Sequence, residues 1–281
     1  MATLEAQRAF FAQLITSVAG VRDSRLTRAF ASVPRERFLG AGPWKVSTGH
    51  GYLQTPSEDP AFLYQDVVVA LDEERRINNG QPTLHAVCLA ALNVQEGETV
   101  VHIGAGTGYY TAVLAELAGA NGRVFAYEID PALAARASKN LAGIPGVTLL
   151  SHSGSEGRLP ACNALYVSAG ATAPLDIWLD ALRPAGRLLF PLTPDGHGNA
   201  SGAGGMLLVT RIKDDRFAAR FVCPVMIIDC SGGRDHETAK RLAQAFRRGD
   251  AEKVRSLRRG TSPDETAWFA ANGWWLSTES E

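Results

Sequence analysis

The sequence predicts an α/β protein of the doubly wound, mostly parallel, Rossmann-like type, with an antiparallel edge hairpin and added N- and C-terminal helices. Apolar strand-like runs alternate with helical runs between residues 83 and 192, and such alternation predicts βαβ units with parallel strands. A glycine-rich turn joins one strand to the next helix at residues 104–108. Two long strand-like runs meet at residues 213–215, as expected of an antiparallel hairpin at a sheet edge.

The composition is that of an ordinary globular protein, with 281 residues, 46% hydrophobic, 20% charged and a formal net charge of −1. This balance predicts neither a nucleic-acid partner nor a membrane partner, and no apolar run approaches the roughly 20 residues needed to cross a bilayer. The four cysteines form no C-x-x-C pair. We therefore expect reduced thiols, no metal site and a cytoplasmic location.

The predicted elements begin with two helices within residues 3–32, around a break at 20–23. Residues 39–80 show no clear periodicity, which is typical of a functional loop region. Helical runs then separate the predicted core strands, which are GETVVHI (97–103), RVFAYEID (123–130), VTLLS (147–151), NALYVSAG (163–170) and RLLFPL (187–192). We expect one domain over residues 1–232, with N-terminal helices and loops over 1–82 and a cofactor core over 83–232.

Residues 233–281 predict a helical C-terminal extension. Asp235 is placed to cap a helix that ends at Gly249, and Asp250 to cap a second that ends at Gly260. Ser-Pro-Asp-Glu at residues 262–265 reads as a capping box for a third helix. Four aromatic residues are predicted to dock this extension on the rest of the chain or on a second subunit, forming an oligomer: Trp268, Phe269, Trp274 and Trp275.

The glycine turn, residues 104–108, predicts a nucleoside cofactor. It reads Gly-Ala-Gly-Thr-Gly between an apolar strand and a helix. Glycine allows a tight turn and the close approach of a ligand, and the helix start offers unpaired N–H groups. A dinucleotide fingerprint is spaced G-x-G-x-x-G, whereas here Tyr109 stands at the third glycine position. We therefore expect S-adenosylmethionine, which has no pyrophosphate, rather than NAD.

A carboxylate at the end of the next predicted strand supports this cofactor. Glu128 follows Gly108 by 20 residues, and a carboxylate there can accept hydrogen bonds from both ribose hydroxyls. The alternative is a solvated acid at the end of a strand. Ile129, next to Glu128, is included among the predicted cofactor-binding residues.

Six segments, in order along the chain, resemble one family. They are VPRERF (33–38), NNGQPTLHA (78–86), VVHIGAGTGYYTAVLAEL (100–117), NALYVSAGA (163–171), GRLLFPL (186–192) and the pair MLLVTRI (206–212) and CPVMII (223–228). Over roughly residues 25–230 the sequence resembles the protein-L-isoaspartate O-methyltransferases. The resemblance implies transfer of a methyl group from S-adenosylmethionine to the carboxylate at an isoaspartyl site of a damaged peptide. It implies no catalytic dyad, because a carboxylate is already a nucleophile and the enzyme has mainly to align it.

The resemblance also assigns site residues. The predicted acceptor-binding residues are Asn78, Asn79, Gly80, Gln81 and, in a loop similar to the family's G-H-G, His50. The predicted cofactor-binding residues are His85, Gly104, Ala105, Gly106, Thr107, Gly108, Tyr109, Glu128, Ile129, Ser153 and Gly154. A plain loop residue remains the alternative for His50, and a core histidine the alternative for His85.

Four places depart from the family pattern. The family's T-I-S is Asn-Asn-Gly at residues 78–80, so the hydroxyls implied to touch the acceptor carboxylate and the cofactor are missing. Positions that are acidic in the family hold His102, Ser153 and Asn163. We expect cofactor binding to persist through the glycine turn and Glu128. Three hypotheses follow: an isoaspartyl methyltransferase, a methyltransferase for another peptide carboxylate or a small molecule, and a scaffold without catalysis.

Overall fold

The computed structural model describes residues 3–196 and 202–281. The α-helices are α1 (Leu4–Val18), α2 (Ser24–Ser32), α3 (Glu36–Leu39), α4 (Pro82–Leu92), α5 (Tyr109–Ala118), α6 (Pro131–Leu141), α7 (Asp176–Ala181) and α8 (His236–Arg248). The strands are β1 (Lys45–Ser47), β2 (Tyr52–Gln54), β3 (Ala70–Asp72), β4 (Ile77–Asn78), β5 (Thr99–Ile103), β6 (Arg123–Tyr127), β7 (Val147–Leu150), β8 (Cys162–Val167), β9 (Leu182–Leu192), β10 (Gly204–Lys213), β11 (Arg216–Val225), β12 (Ser256–Arg259), β13 (Ala267–Ala271) and β14 (Trp274–Ser277).

The described residues divide into two compact units. The first unit lies within Met1–Gly97 and Ala105–His152, and the second within Glu98–Gly104 and Ser153–Glu281. The predicted domain over residues 1–232 and the extension over residues 233–281 follow a different division, which stays a prediction.

The first unit carries the two predicted N-terminal helices, α1 and α2, together with α4, α5 and α6. Asp23 caps α2 by accepting from Arg25 N–H, and Asp130 caps α6 by accepting from Leu133 N–H. Strands β6 and β7 pair in parallel, as predicted. The region predicted to be irregular holds two short hairpins, β1–β2 and β3–β4. This region has a small hydrophobic core of its own, which consists of Leu39, Trp44, Leu63 and Val69.

The second unit is built on a sheet whose strands follow the order β13-β14-β12-β11-β10-β9-β8-β5. Strands β5, β8 and β9 pair in parallel. The side chains of β5, of β8 and of residues 188–192 of β9 are buried almost throughout, as is usual for parallel strands covered on both faces. The register pairs Ile103 with Val167, so the carboxyl ends of β5 and β8 are level. Ligand-binding loops of such sheets extend from these ends.

The predicted hairpin is confirmed as β10 and β11, joined at Asp214-Asp215, but it does not lie at the sheet edge, because three further strands follow β11 in the sheet. The antiparallel part is larger than predicted, because β12 pairs with β11, β14 with β12, and β13 with β14.

The helical prediction for the C-terminal extension is right only for its first helix. Helix α8 is capped by Asp235 and ends at Gly249, as predicted. The second predicted helix is instead a 3-10 turn, Ala251–Lys253, followed by β12, and the third is replaced by β13 and β14.

The missed signal is Asn272-Gly273 between two aromatic runs. An Asn-Gly pair between aromatic, strand-forming residues predicts a hairpin. Its strands bury the four aromatic residues in the second unit itself, where Trp268 contacts Phe221 and Phe246 at ring-centroid distances of 5.4 and 5.3 Å. Of the two docking alternatives, these aromatic residues follow the one within the chain itself.

The cysteines described are free thiols at Cys88, Cys162, Cys223 and Cys230. Burial raises the pKa of Cys162 to about 12 and that of Cys230 to about 11. Within residues 3–196 and 202–281, no helix is both long and apolar enough to span a membrane. The same residues contain no group of three His, Cys, Asp or Glu side chains arranged to hold a metal ion.

Candidate functional site

The glycine turn leads into α5 in the first unit. Ala105 N–H donates to the carbonyl of Tyr127 at 3.0 Å, which fixes the turn to the end of β6. Gly106 and Gly108 have φ of 58° and 98°, in the region that side chains other than hydrogen disfavour. A Cβ atom at Gly108 would also lie 2.9 Å from Leu141 Cγ. Position 108 therefore requires glycine both for its backbone angle and for space.

Glu128 directly follows β6, as predicted, and its carboxylate is bound to the turn. Oε2 accepts from Gly106 N–H at 2.6 Å, and Oε1 accepts from Asp130 N–H at 2.9 Å. The residue is 6% exposed, and burial raises the pKa of its carboxyl group above the usual value. A carboxylate has about four lone-pair directions, so each oxygen can still accept a hydroxyl hydrogen.

An ion-pair network lies beside Glu128. Arg75, in the turn between β3 and β4, donates to Asp130 and, at 2.6 Å, to Asp72. The Arg75 guanidinium lowers the pKa of the Asp130 carboxyl group. In the same hairpin, Leu71 Cδ1 lies 3.8 Å from the position of a Cβ atom at Gly106. The β3–β4 hairpin, which ends at the acceptor segment (residues 78–81), therefore borders the glycine turn.

Within the acceptor segment, the asparagine side chains hold the backbone. Asn78 Oδ1 accepts from Gly80 N–H at 2.9 Å, which is an Asx turn. Asn79 exchanges two hydrogen bonds with Val69: its Oδ1 accepts from Val69 N–H at 2.8 Å, and its N–H donates to Val69 O at 3.0 Å. Asn79 is 8% exposed, and its Nδ2 has no hydrogen-bond partner among the described residues.

Asp66 joins the end of the acceptor segment to the start of α4. Its Oδ2 accepts from Gln81 Nε2 at 2.9 Å, and its Oδ1 accepts from Thr83 N–H at 2.8 Å. The second bond satisfies one of the N–H groups that a helix leaves unpaired at its first turn. Gln81, like the two asparagines, is therefore engaged in holding the segment.

His85 is buried in the first unit and contacts both the acceptor segment and α5. The residue is 4% exposed, and its ring stacks on Tyr110 with centroids 3.5 Å apart and planes 9° from parallel. Tyr110 Oη lies 3.5 Å from Gly80 O. Gly80 has a φ of 73°, and a Cβ atom there would lie 2.2 Å from His85 Nε2.

Other predicted residues of the first unit are more dispersed. His50 lies exposed in the turn between β1 and β2, and among the described residues no hydrogen bond or ion pair joins it to the acceptor segment. Ile129 is 52% exposed beside Glu128. Tyr109 is buried and packs against Phe38 at a centroid distance of 5.6 Å. Thr107, also buried, accepts a hydrogen bond from Asn140 at its carbonyl.

Gly104, Ser153 and Gly154 belong to the second unit. Gly104 has a φ of 77°, and a Cβ atom there would lie 3.6 Å from the backbone of Ser168. Ser153 Oγ lies 2.7 Å from Ser155 Oγ. Gly154 O accepts from Trp178 Nε1 at 2.9 Å. Ser153 and Gly154 are therefore held by contacts within the second unit.

His102, in β5, stands where the family has an acid. Its ring stacks on Tyr166, and its Nε2 lies 3.1 Å from Ser168 Oγ. Burial lowers the pKa of His102 to about 3. The imidazole is therefore neutral at physiological pH, and the exchange of an acid for histidine adds no positive charge.

Three contributors were missed by sequence reasoning. Ser168 follows β8 and could have been found from the rule that ligand-binding loops extend from the carboxyl ends of parallel strands. Tyr110 stands next to a predicted residue, but its partner His85 is distant in the sequence. Asp66 is separated from Gln81 by a hairpin, and no local pattern marks it.

Comparison with known proteins places the chain in a family. The family model described as protein-L-isoaspartate(D-aspartate) O-methyltransferase (PCMT) matches residues 5–232. A protein-L-isoaspartate O-methyltransferase of Methylorubrum populi is 31% identical over 213 residues, covering 74% of this chain and 87% of the relative. Protein-L-isoaspartate O-methyltransferase 2 of Anaeromyxobacter sp. is 31% identical over 200 residues, covering 69% and 73%.

Two solved structures share the fold. One, a protein-L-isoaspartate O-methyltransferase, has a TM-score of 0.66 at 23% identity and covers 85% of this chain and 69% of its own. The other is described as a protein-L-isoaspartate O-methyltransferase from Plasmodium falciparum in complex with S-adenosyl-L-homocysteine. It has a TM-score of 0.63 at 16% identity and covers 80% and 98%. The predicted α/β fold class is confirmed, and the chain belongs to the protein-L-isoaspartate O-methyltransferase family.

Proposed function

We propose that this chain transfers a methyl group from S-adenosylmethionine to the carboxylate of an isoaspartyl residue in a peptide or protein. The observation that carries the proposal is the Glu128 carboxylate, held by the glycine turn in a chain that the family model matches over residues 5–232. The reduced thiols and the composition fit a cytoplasmic setting for this activity.

The residues present fit the cofactor. Gly106 and Asp130 hold the Glu128 carboxylate rigid, and its remaining lone pairs suit the two hydroxyls of a ribose. The glycine turn offers a backbone without side chains to the rest of the nucleoside. The proposed cofactor-binding residues of the first unit are His85, Ala105, Gly106, Thr107, Gly108, Tyr109, Glu128 and Ile129. Those of the second unit are Gly104, Ser153 and Gly154.

The bound cofactor supplies a methyl group on a positively charged sulfur. A lone pair of the acceptor carboxylate forms the new oxygen–carbon bond while the carbon–sulfur bond breaks and its electron pair stays on sulfur. The products are a methyl ester and S-adenosylhomocysteine, and no proton is transferred. The protein therefore has to align the carboxylate with the methyl group and exclude water, and we propose that the acceptor segment, residues 78–81, does so.

A paired peptide assay tests the proposal. Labelled S-adenosylmethionine is incubated with the full chain and with an isoaspartyl peptide or its aspartyl twin. We expect base-labile label in the isoaspartyl peptide and background label in its twin. Calorimetric titration with S-adenosylhomocysteine is run in parallel as the measure of cofactor binding.

The outcomes separate the three hypotheses. Equal labelling of both peptides would favour a less selective carboxylate acceptor, and cofactor binding without labelling of either would favour another acceptor or a scaffold. Absence of cofactor binding at saturating concentration would contradict any methyltransferase function.

A further inference from the structure

Arg234 lies just beyond residues 5–232, which the family model matches, and two residues before α8. Its side chain is only 14% exposed, although the guanidinium group is always charged. A buried charge is costly unless it is paired and hydrogen-bonded. The partners of this guanidinium group therefore indicate which part of the chain the residue is placed to hold.

The Arg234 guanidinium binds the chain at the carboxyl ends of two parallel strands. Its Nη1 donates to Gly170 O at 3.1 Å, three residues after β8, and to Thr193 O at 3.0 Å, directly after β9. It also donates to the Thr193 hydroxyl oxygen at 2.9 Å. One rigid, planar donor group thus joins the ends of β8 and β9.

Two carboxylates balance the buried charge of Arg234. Asp195 Oδ1 accepts from Arg234 Nη2 at 2.6 Å, and Asp229 Oδ1 lies 3.5 Å from Arg234 Nη1. The second oxygen of Asp195 lies 2.7 Å from His236 Nδ1, at the start of α8. The guanidinium group is therefore fixed in place by charged partners as well as by the two carbonyls.

The segment that follows β8 also contacts the first glycine of the turn. Ser168 N–H donates to Ile103 O at 2.8 Å, and a Cβ atom at Gly104 would lie 3.6 Å from the Ser168 carbonyl carbon. Only one residue separates Ser168 from Gly170, whose carbonyl Arg234 binds. All five residues belong to the second unit. A shift of the segment after β8 would therefore change the packing around Gly104.

We propose that Arg234 is a positioning residue for cofactor binding: by binding the carbonyls that follow β8 and β9, it holds the Ser168 backbone against Gly104. The inference rests on the proposed function, in which Gly104 is a cofactor-binding residue. Arg234 comes from the C-terminal segment that follows the family match. That segment therefore contributes to the site through Arg234, without touching the reacting atoms.

Three variants test the assignment in the full chain: Arg234→Ala, Arg234→Lys and, as a matched control, Arg258→Ala. Lysine keeps the charge but is a point donor that cannot reproduce the planar fork of arginine. Arg258 is similarly buried, at 22% exposed, and pairs with Asp264 and Glu281. It lies in β12, which two strands separate from β9 in the sheet. Its removal therefore reports the loss of an ion-paired arginine away from the ends of β8 and β9.

We expect the Kd for S-adenosylhomocysteine, measured by calorimetry, to rise about tenfold in Arg234→Ala and about threefold in Arg234→Lys. Arg258→Ala should lower the thermal midpoint but keep the Kd within about twofold of the wild-type value. Guanidinium chloride at millimolar concentration should restore part of the affinity of Arg234→Ala, whereas sodium chloride at the same ionic strength should not. A merely structural role would move the thermal midpoint without moving the Kd.

Hydrogen exchange tests the positioning without any cofactor. Ala171 N–H donates to Pro191 O and Thr193 N–H donates to Ala171 O, both at 2.9 Å, so we expect these amides to exchange slowly in the folded chain. Arg234→Ala should speed their exchange, and Arg258→Ala should not. Unchanged exchange at Ala171 and Thr193 in Arg234→Ala would refute the positioning role.

An unchanged Kd in Arg234→Ala, an equal rise in Arg258→Ala, or a wild-type Kd in Arg234→Lys would overturn the inference while leaving the proposed function intact. If Arg234→Ala does not fold, the Kd of Arg234→Lys decides: a raised value supports the inference, and a wild-type value overturns it. A wild-type chain that does not bind S-adenosylhomocysteine would overturn the proposed function and this inference together.

Discussion

Residues 105–108 of the glycine turn and the acceptor segment lie in the same unit but are built in opposite ways. At the turn, the backbone N–H of Gly106, together with that of Asp130, holds the Glu128 carboxylate, and three of the five turn residues are glycine. In the acceptor segment, three side chains hold the backbone, and a buried histidine fills the space beside it. A site built on backbone survives side-chain exchange around it, whereas a site built on side chains changes with each exchange. This difference explains how the chain can depart from its family at residues 78–80 and still keep its turn.

The largest effect is expected where the turn's backbone itself is changed. Gly108→Ala places a side chain at a φ of 98° and against Leu141, which should cost about 2–4 kcal/mol of unfolding free energy. Binding of S-adenosylhomocysteine should fall with it. Gly143→Ala is the matched control, because Gly143 also has a positive φ, 81°, but open space around it. Urea unfolding of both variants gives the comparison, and equal losses would contradict the steric account.

Removal of the Glu128 side chain, which accepts from the turn, should have the next largest effect. Glu128→Ala removes the proposed acceptor of two ribose hydroxyls, so cofactor affinity should fall by about 2 kcal/mol, or roughly 30-fold. Calorimetry with S-adenosylhomocysteine measures it. Glu116→Ala, an exposed acid on α5, changes the charge equally and should leave the affinity unchanged. An unaltered Kd in Glu128→Ala would refute the ribose assignment.

In the acceptor segment, Asn79→Ala should damage the acceptor side and spare the cofactor side. It leaves the N–H of the buried Val69 without its partner, which should cost about 1–2 kcal/mol of stability. The peptide KM should rise while the Kd for S-adenosylhomocysteine stays constant. Asn78→Ala, at an exposed position, should cost less. A fall in cofactor affinity comparable with that in Glu128→Ala would break the distinction between the two regions.

The smallest effect expected is a pH dependence confined to the turn. Burial raises the pKa of Glu128, and the ionised carboxylate is the form that accepts both hydroxyls. As pH is lowered, affinity for S-adenosylhomocysteine should therefore begin to decline at a higher pH than an ordinary carboxyl group would cause. Glu128→Gln should bind more weakly and without this slope. If the affinity of the Glu128→Gln variant declined with pH in the same way, the pH dependence would belong to another group.

Burial of Glu128 also changes how the free energy of unfolding depends on pH. Because the pKa of Glu128 is higher in the folded than in the unfolded chain, the folded chain binds the proton more tightly. Its contribution is thus unfavourable above the folded pKa and is relieved as pH falls through it. His102 acts in the opposite direction, since its folded pKa of about 3 lies below the ordinary value of 6.5. Its contribution is fully present above about pH 6.5 and is lost as pH falls toward 3.

The sequence predicted the elements whose signals are local. The glycine turn, Glu128 at the end of its strand and the capped helix α8 lie where residue patterns placed them. The last two predicted helices were wrong, because acidic and proline residues at 262–265 resemble a helix start while Asn272-Gly273 directs a hairpin. There the pairing of two aromatic runs across a turn outweighed the local capping pattern.

The parts of the candidate site that could not be predicted depend on distant contacts. The stacking of His85 on Tyr110, and the bonds from Asp66 to the start of α4, join residues far apart in the sequence. From the sequence alone, Gly80 is seen only as the loss of the family's serine hydroxyl. Only the fold shows that a ring occupies the same space.

The raised pKa values of the Cys162 and Cys230 thiols affect their reactivity. The thiolate is the form of cysteine that oxidants and electrophiles attack, and the buried Cys162 and Cys230 remain almost entirely protonated at neutral pH. Burial in the second unit therefore shields these two sulfur atoms, and we expect both thiols to react slowly with oxidants and alkylating reagents.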